Sequence, residues 1–194
     1  MQPPSPPLRC CLLSGGASRR MGRDKGLLPH PAGGTWLEHT LRLLAELQVP
    51  ITLLSRWPEH LALARSLEVC QLETIEEPPP WEGPLLALHR LMEQHPDEQL
   101  LLCPVDMPHL DANALETLVI ASESTPGVIH VAHDGSQRQP LLGIYPSQES
   151  VRMNLAKAVE AGERRLQRWL GTQPYRDLVL SPGTIRNINS PEEL

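Results

Sequence analysis

Short apolar runs alternate with apolar positions at helical spacing along most of this chain. Leu8 to Leu13 is apolar apart from Arg9 and reads as a strand. Leu37, Leu41, Leu44 and Leu47 recur three or four apart, which stacks them on one face of a helix that ends before Pro50. Ile51 to Leu54 predicts a second strand. Pro58, whose ring suits a first helical turn, opens a helix to about Leu67. Val69 to Ile75 predicts a third strand, Glu76 to Glu82 a loop rich in proline and acid, and Gly83 to Gln94 a helix. Leu100 to Val105 reads as a buried strand closed by Asp106-Met107-Pro108, and Asp111 as the N-cap of a helix to about Ala121. Two strands, Val128 to His133 and Leu141 to Tyr145, flank the loop Asp134 to Gln139. A helix from about Gln148 breaks near Gly162 and resumes to Leu170. Ser190-Pro191-Glu192-Glu193 combines a capping-box pattern with proline at the first helical position.

Strands alternating with helices over the first 120 residues imply βαβ units. The expected fold is α/β: a single-domain, three-layer sandwich around a mostly parallel, Rossmann-like sheet. In such sheets the crossovers are right-handed and ligands lie beyond the carboxyl ends of the strands. The loops after the first and fourth strands are therefore the expected site loops. Residues 1–7 form a Pro-rich tail expected to be disordered, and residues 8–194 one domain.

Composition narrows the chemistry. Aromatics are scarce and Phe is absent, so aliphatic side chains must fill the core. That scarcity argues against a stacking platform for single-stranded nucleic acid. A net charge of −6 argues against binding along a phosphate backbone. Locally the sign reverses: Arg19, Arg20, Arg23 and Lys25 fall within seven positions, which suits a small anionic ligand. Cys10, Cys11, Cys70 and Cys103 lack a C-x-x-C spacing and read as buried, reduced thiols. Cys10 and Cys11 should point to opposite faces of their strand. The start is not a signal peptide, and no apolar run approaches the roughly 20 residues that span a membrane. The expectation is a cytoplasmic protein with neither nucleic-acid nor membrane partners.

Glycines directly after a strand let backbone N–H groups approach phosphate oxygens, with nearby cations neutralising their charge. Leu13-Ser14-Gly15-Gly16-Ala17-Ser18-Arg19-Arg20-Met21-Gly22-Arg23-Asp24-Lys25 is such a segment, although it fits neither the Walker loop nor G-x-G-x-x-G. Taken alone it could also be a Gly-rich turn with solvated charges. Asp106, at the end of a buried strand, has the chemistry to hold Mg²⁺, a hard cation that takes one or two carboxylates plus phosphates. It could equally form a turn or cap a helix. His133, beside Asp134-Gly135, is the one histidine with a suggestive setting, and a surface role suits it as well.

Together these segments resemble the molybdenum cofactor guanylyltransferases, within a larger nucleotidyltransferase superfamily. The matched positions are Gly15, Gly16, Ser18, Arg20, Met21, Gly22, Asp24 and Lys25 in the first segment and Asp106 with Pro108 in the second. Asn187-Ile188-Asn189-Ser190-Pro191 resembles the family's Asn-x-Asn-Thr/Ser-Pro segment, and Glu82-Gly83-Pro84-Leu85 part of its Gly-Pro-Leu-x-Gly segment. The second glycine of that last motif is absent, because Leu86, Ala87 and Leu88 stand there.

The resemblance implies transfer of GMP from GTP to the terminal phosphate of molybdopterin, with release of pyrophosphate and Mg²⁺ as cofactor. It implies a nucleotide-binding half at 8–120 and a pterin-binding half at 121–194. Leu13, Ser14, Gly15, Gly16, Lys25, Gly83, Pro84 and Asp106 would contact GTP. An acid expected upstream of Gly83 would be Glu76 or Glu77. Arg20 and Lys25 would stabilise the triphosphate and the departing pyrophosphate, and Asp106 would hold the metal. Arg164, Arg165, Asn187 and Asn189 would bind the pterin, although the two arginines could also sit on a solvated helix face. Transient contact with cofactor-insertion proteins or molybdoenzymes would follow. The competing readings are transfer of CMP from CTP, transfer to a sugar phosphate, and a non-catalytic GTP-binding module that delivers cofactor.

Overall fold

The computed structural model describes residues 6–16 and 24–193. Seven strands form one sheet: β1 (Leu8–Leu13), β2 (Ile51–Ser55), β3 (Leu72–Glu76), β4 (Gln99–Pro104), β5 (Ile129–His133), β6 (Arg138–Pro146) and β7 (Tyr175–Val179). The helices are α1 (Trp36–Ala45), α2 (Pro58–Ser66), α3 (Pro84–Gln94), α4 (Ala112–Ser124), α5 (Glu149–Glu160) and α6 (Leu166–Leu170). The strand order is β3-β2-β1-β4-β6-β5-β7. β6 runs antiparallel to both its neighbours, and every other pairing is parallel.

A sheet buried on both faces needs apolar residues on both, which is why β1 and β4 are continuous apolar runs rather than alternating ones. Cys10 and Leu12 of β1 pack with Leu101 and Cys103 of β4 against α1, α2 and α4. Cys11 of β1 packs with Leu100 and Leu102 against α3, α5 and α6. The result is the expected three-layer sandwich, with the two adjacent cysteines on opposite faces. Burial pushes the Cys10 thiol up to about 12. The expectation of four buried thiols fails at Cys70, which is exposed in the connection before β3.

Local signals explain most element ends. Thr35 and Glu38 close a reciprocal capping box at the start of α1. The Asp111 side chain accepts from the Ala114 amide at the start of α4. Pro58 and Pro84 each open a helix, where a missing N–H costs nothing. Three strands depart from expectation. The third begins at Leu72 rather than Val69, β6 begins at Arg138 rather than Leu141 and so takes in the end of the expected loop, and β7 had no counterpart in the hydrophobic pattern. Of the Pro-rich start, residues 1–5 lie outside the described residues, while the Pro7 carbonyl accepts from the Gln99 amide at 2.8 Å. Among the described residues, no helix is long and apolar enough to cross a membrane.

Candidate active site

The sheet order changes direction at β1, whose neighbours β2 and β4 lead away to opposite edges. At such a switch point the loops leaving adjacent strands diverge and leave a crevice at their carboxyl ends. A cleft of about 580 Å³ opens there, lined among others by Ser14, Gly15 and Gly16 after β1 and by Val105 and Asp106 after β4. That volume lies within the usual range for a small-molecule site.

Lys25 and Asp106 meet in this cleft although 81 positions separate them: Nζ lies 3.0 Å from Oδ2. The Asn189 side-chain oxygen accepts from the same Nζ at 2.7 Å. Burial of Ile185 and Ile188 anchors the chain end, and Ile188 packs with Leu28, Trp36 and Val105. The Ile188 amide also donates to the Asp106 carbonyl at 3.0 Å. This docking delivers Asn189 to Lys25. Asn187 goes elsewhere and donates to Gln139 Oε1 at 2.7 Å, so the two asparagines have different partners.

Glu77, not Glu76, lines the cleft. Glu76 ends β3 exposed to solvent, while Glu77 is buried and paired with Arg90 at 2.9 Å. Burial pushes the Glu77 carboxyl above its usual range, an effect opposed by Arg90 and Arg56. Its Oε2 would lie only 2.8 Å from a Cβ at position 15, so glycine there permits the close approach of carboxylate and loop. Gly83 and Pro84 line the cleft at the start of α3. Leu13 lines it as well, at the end of β1.

Arg164 and Arg165 stand at the junction of α5 and α6. Arg164 Nε pairs with Glu82 Oε2 at 2.5 Å, which ties this junction to the segment before Gly83. Arg165 is exposed and forms the N-cap of α6. Neither lines the cleft. Arg20 lies outside the described residues, as do Ser18, Met21, Gly22 and Arg23. His133 sits at the β5–β6 hairpin, where its Nδ1 accepts from the Gly135 amide at 2.9 Å.

Several residues at the cleft gave no signal in the sequence. The Arg56 guanidinium lies 4.6 Å from the centre of the Trp57 ring and 5.2 Å from that of Trp81. Such cation–π contacts hold a guanidinium in place without consuming its donors. Arg56 Nε is buried and has no hydrogen-bond partner. Trp81 is half exposed and donates from its indole to the Glu77 carbonyl at 2.9 Å. His60, likewise without a signal of its own, meets the motif residue Asp24 beside the glycine loop.

A resident metal has a plausible ligand in Asp106. Its Oδ1 is buried without a hydrogen-bond partner, so one carboxylate oxygen has coordination capacity unused by the protein. Among the described residues no three His, Cys, Asp or Glu side chains cluster to form a metal cage. A hard carboxylate oxygen facing a cleft large enough for a nucleotide suits Mg²⁺, which draws its remaining ligands from phosphates and water.

A glycine loop and a lysine facing the Asp106 carboxylate, across the switch point of a doubly wound sheet, are the arrangement that a nucleotidyltransferase needs. The MobA-like NTP transferase domain matches residues 10–177, and the chain belongs to that family. It is 33% identical over 197 residues to a protein of Rhodopirellula baltica named as a probable molybdenum cofactor guanylyltransferase, covering 97% of this chain and 90% of that one. Its fold is similar to that of the molybdopterin-guanine dinucleotide biosynthesis protein A of Archaeoglobus fulgidus, with a TM-score of 0.76 at 20% identity, covering 95% of this chain and 94% of that one. A Mycobacterium tuberculosis protein solved in complex with manganese shares the fold at a TM-score of 0.66 and 17% identity, covering 96% of this chain and 95% of that one.

Proposed function

We propose that this chain transfers GMP from GTP to the terminal phosphate of molybdopterin, forming the guanine dinucleotide form of the cofactor and pyrophosphate. The observation that carries this reading is the meeting of Lys25 and Asp106 across the cleft, one arriving from the loop after β1 and the other from the end of β4. Similarity to the named guanylyltransferases supports the choice of nucleotide and acceptor.

The acceptor phosphate is already an anion, so no Ser, Cys or His nucleophile is required. Its oxygen attacks the α-phosphorus, a new P–O bond forms, and the bond to the leaving pyrophosphate breaks. The protein's task is to align two polyanions and offset their repulsion. The Gly15 and Gly16 amides would serve as backbone donors, and Lys25 places a cation beside the phosphates. Asp106 would hold Mg²⁺, which when bound neutralises phosphate oxygens and orients the leaving group. Glu77 and Arg56 lie on the wall that would receive the base, and Asn189 reaches the same lysine from the acceptor side. In this reading residues 8–120 bind nucleotide, residues 121–194 bind pterin, and Arg20, Arg164 and Arg165 add cations. The enzyme would act in the cytoplasm and pass its product to cofactor-insertion proteins or molybdoenzymes.

The test is product analysis with purified protein, molybdopterin or its metal-loaded form, Mg²⁺, and each nucleoside triphosphate in turn. A guanine dinucleotide product with stoichiometric pyrophosphate is expected with GTP alone. Equal turnover with CTP would refute the assigned nucleotide, and binding of GTP without turnover would refute the assigned catalysis.

A further inference from the structure

The mechanism above uses no histidine, yet one is buried against the glycine loop. His60 belongs to the first turn of α2 and is 1% exposed. Its ring reaches two segments that flank residues 17–23. Nδ1 lies 3.0 Å from Ser14 Oγ and 3.1 Å from the Ser14 carbonyl oxygen. Nε2 lies 2.9 Å from Asp24 Oδ2. The Ser55 hydroxyl, at the end of β2, is 3.3 Å from Nδ1. With Nε2–H donating to Asp24, the Ser14 hydroxyl is placed to donate to Nδ1, so both ring nitrogens are satisfied.

We propose that His60 is a positioning residue for nucleotide transfer: anchored on α2 beside Ser14, it holds Asp24 through Nε2 and so keeps Lys25 in its place opposite Asp106. Asp24 uses both oxygens, Oδ2 on His60 and Oδ1 on the Gly26 amide at 2.9 Å. That second bond closes a turn around Lys25 itself, and the Leu28 amide closes it further by donating to the Lys25 carbonyl at 3.1 Å. The connection therefore runs from α2 through His60 and Asp24 to the lysine, and from the lysine to Asp106. Position 26 supports the same assignment independently. A Cβ there would lie 2.8 Å from His60 Cε1 and 2.9 Å from Nε2, so glycine leaves the ring room to reach Asp24.

A residue that served only the packing of α2 would need no polar ring. Burying an imidazole costs free energy unless its nitrogens are paired, and an aliphatic residue would fill the same space without that cost. The polar ring has a reason to be here because it joins two segments of a phosphate site.

This inference rests on the nucleotidyltransferase reading, and its test separates the two. Glutamine places its amide nitrogen near the position of a histidine Nε2, and asparagine near that of Nδ1. H60Q therefore keeps the reach to Asp24, whereas H60N keeps only the reach to Ser14. GTP binding by titration, steady-state kinetics and thermal midpoints would be measured on the full chain. H60Q should stay within about threefold of the wild type, while H60N should lose about tenfold or more in kcat/KM for GTP, a difference larger than any difference between their thermal midpoints accounts for. D24N, on a side chain a third exposed, should reproduce the H60N loss, and the double variant should be no worse than either single one. Equal losses for H60Q and H60N, or losses that only follow the thermal midpoint, would overturn the positioning role. Failure of the wild type to bind any nucleoside triphosphate would refute the nucleotidyltransferase reading and this inference with it.

Discussion

Replacing Asp106 by Asn should leave the protein folded and nearly abolish turnover, and the two effects can be estimated separately. Asp106 Oδ2 is 3.0 Å from Lys25 Nζ, with side-chain exposures of 23% and 11%. At an effective dielectric constant of about 20, opposite unit charges at that distance attract by about 5 kcal/mol before desolvation is subtracted. The amide oxygen of Asn still accepts from Lys25, so the substitution exchanges a charge-assisted hydrogen bond for a neutral acceptor. The net stability change should be about 1 kcal/mol. For a chain of this size that is a fall of about 2–4 °C in the thermal midpoint. Chemistry should suffer far more, because an amide is a poor ligand for a hard dication. Losing a charge aimed at the reacting phosphates should lower turnover by about 100-fold to 1000-fold. The assay is continuous pyrophosphate release at saturating GTP and acceptor, beside calorimetry of the same preparation. A folded D106N protein that retained turnover within about fivefold, a barrier change of about 1 kcal/mol, would refute Asp106 as the principal metal ligand.

Lys25→Ala should impair transfer far more than Arg23→Ala, because Lys25 is a matched position of the motif and Arg23 occupies a variable one; equal losses in transfer kinetics would show diffuse charge rather than placed groups. Asn189→Ala should weaken both substrates, since Asn189 holds the lysine expected at the triphosphate, whereas Asn187→Ala should leave GTP affinity unchanged in a titration. A loss of GTP affinity on changing Asn187 alone would contradict that division. His39, His95 and His130 are held below the ordinary histidine range, in each case by burial first. On acidification the unfolded chain binds protons at about pH 6.5, before the folded chain does, so stability contributed by these neutral rings falls as pH drops from about 7 toward 5.5. Thermal midpoints across that window should decline, and a flat or rising profile would contradict it.

What could be read in advance depended on how local each signal was. β1 and β4 were legible because a strand buried on both faces is a continuous apolar run bounded by glycine or proline. Tyr175–Val179 was not legible. It carries Arg176 and Asp177, lies at an edge, and becomes a strand only by pairing with β5, more than 40 residues earlier. The same contrast holds in the site. The glycine loop and Asp106 announced themselves because glycine, lysine and a strand-ending carboxylate are rare in combination. His60, Arg56, Trp57 and Trp81 are single residues whose meaning comes from residues distant in sequence, such as Ser14, 46 positions before His60. Asn187 and Asn189 part for a further reason. Alternation would place both side chains on one face only if the segment were a strand, and here it is irregular chain pinned by Ile185 and Ile188.

The reversal of β6 bears on how this architecture can vary. Parallel neighbours must be joined by a crossover that carries the chain back along the whole sheet, whereas antiparallel neighbours need only a short turn. Between β5 and β6 the chain turns within residues 134–137 and re-enters the sheet at the carboxyl edge, the same edge that holds the cleft. Leu141, early in β6, lines that cleft, and Gln139 holds Asn187. A connection of this kind can grow or shrink without displacing any layer of the sandwich. The hairpin is therefore a place where the fold can accept insertions at the rim of the cleft, so that loop length there can change what the cleft admits.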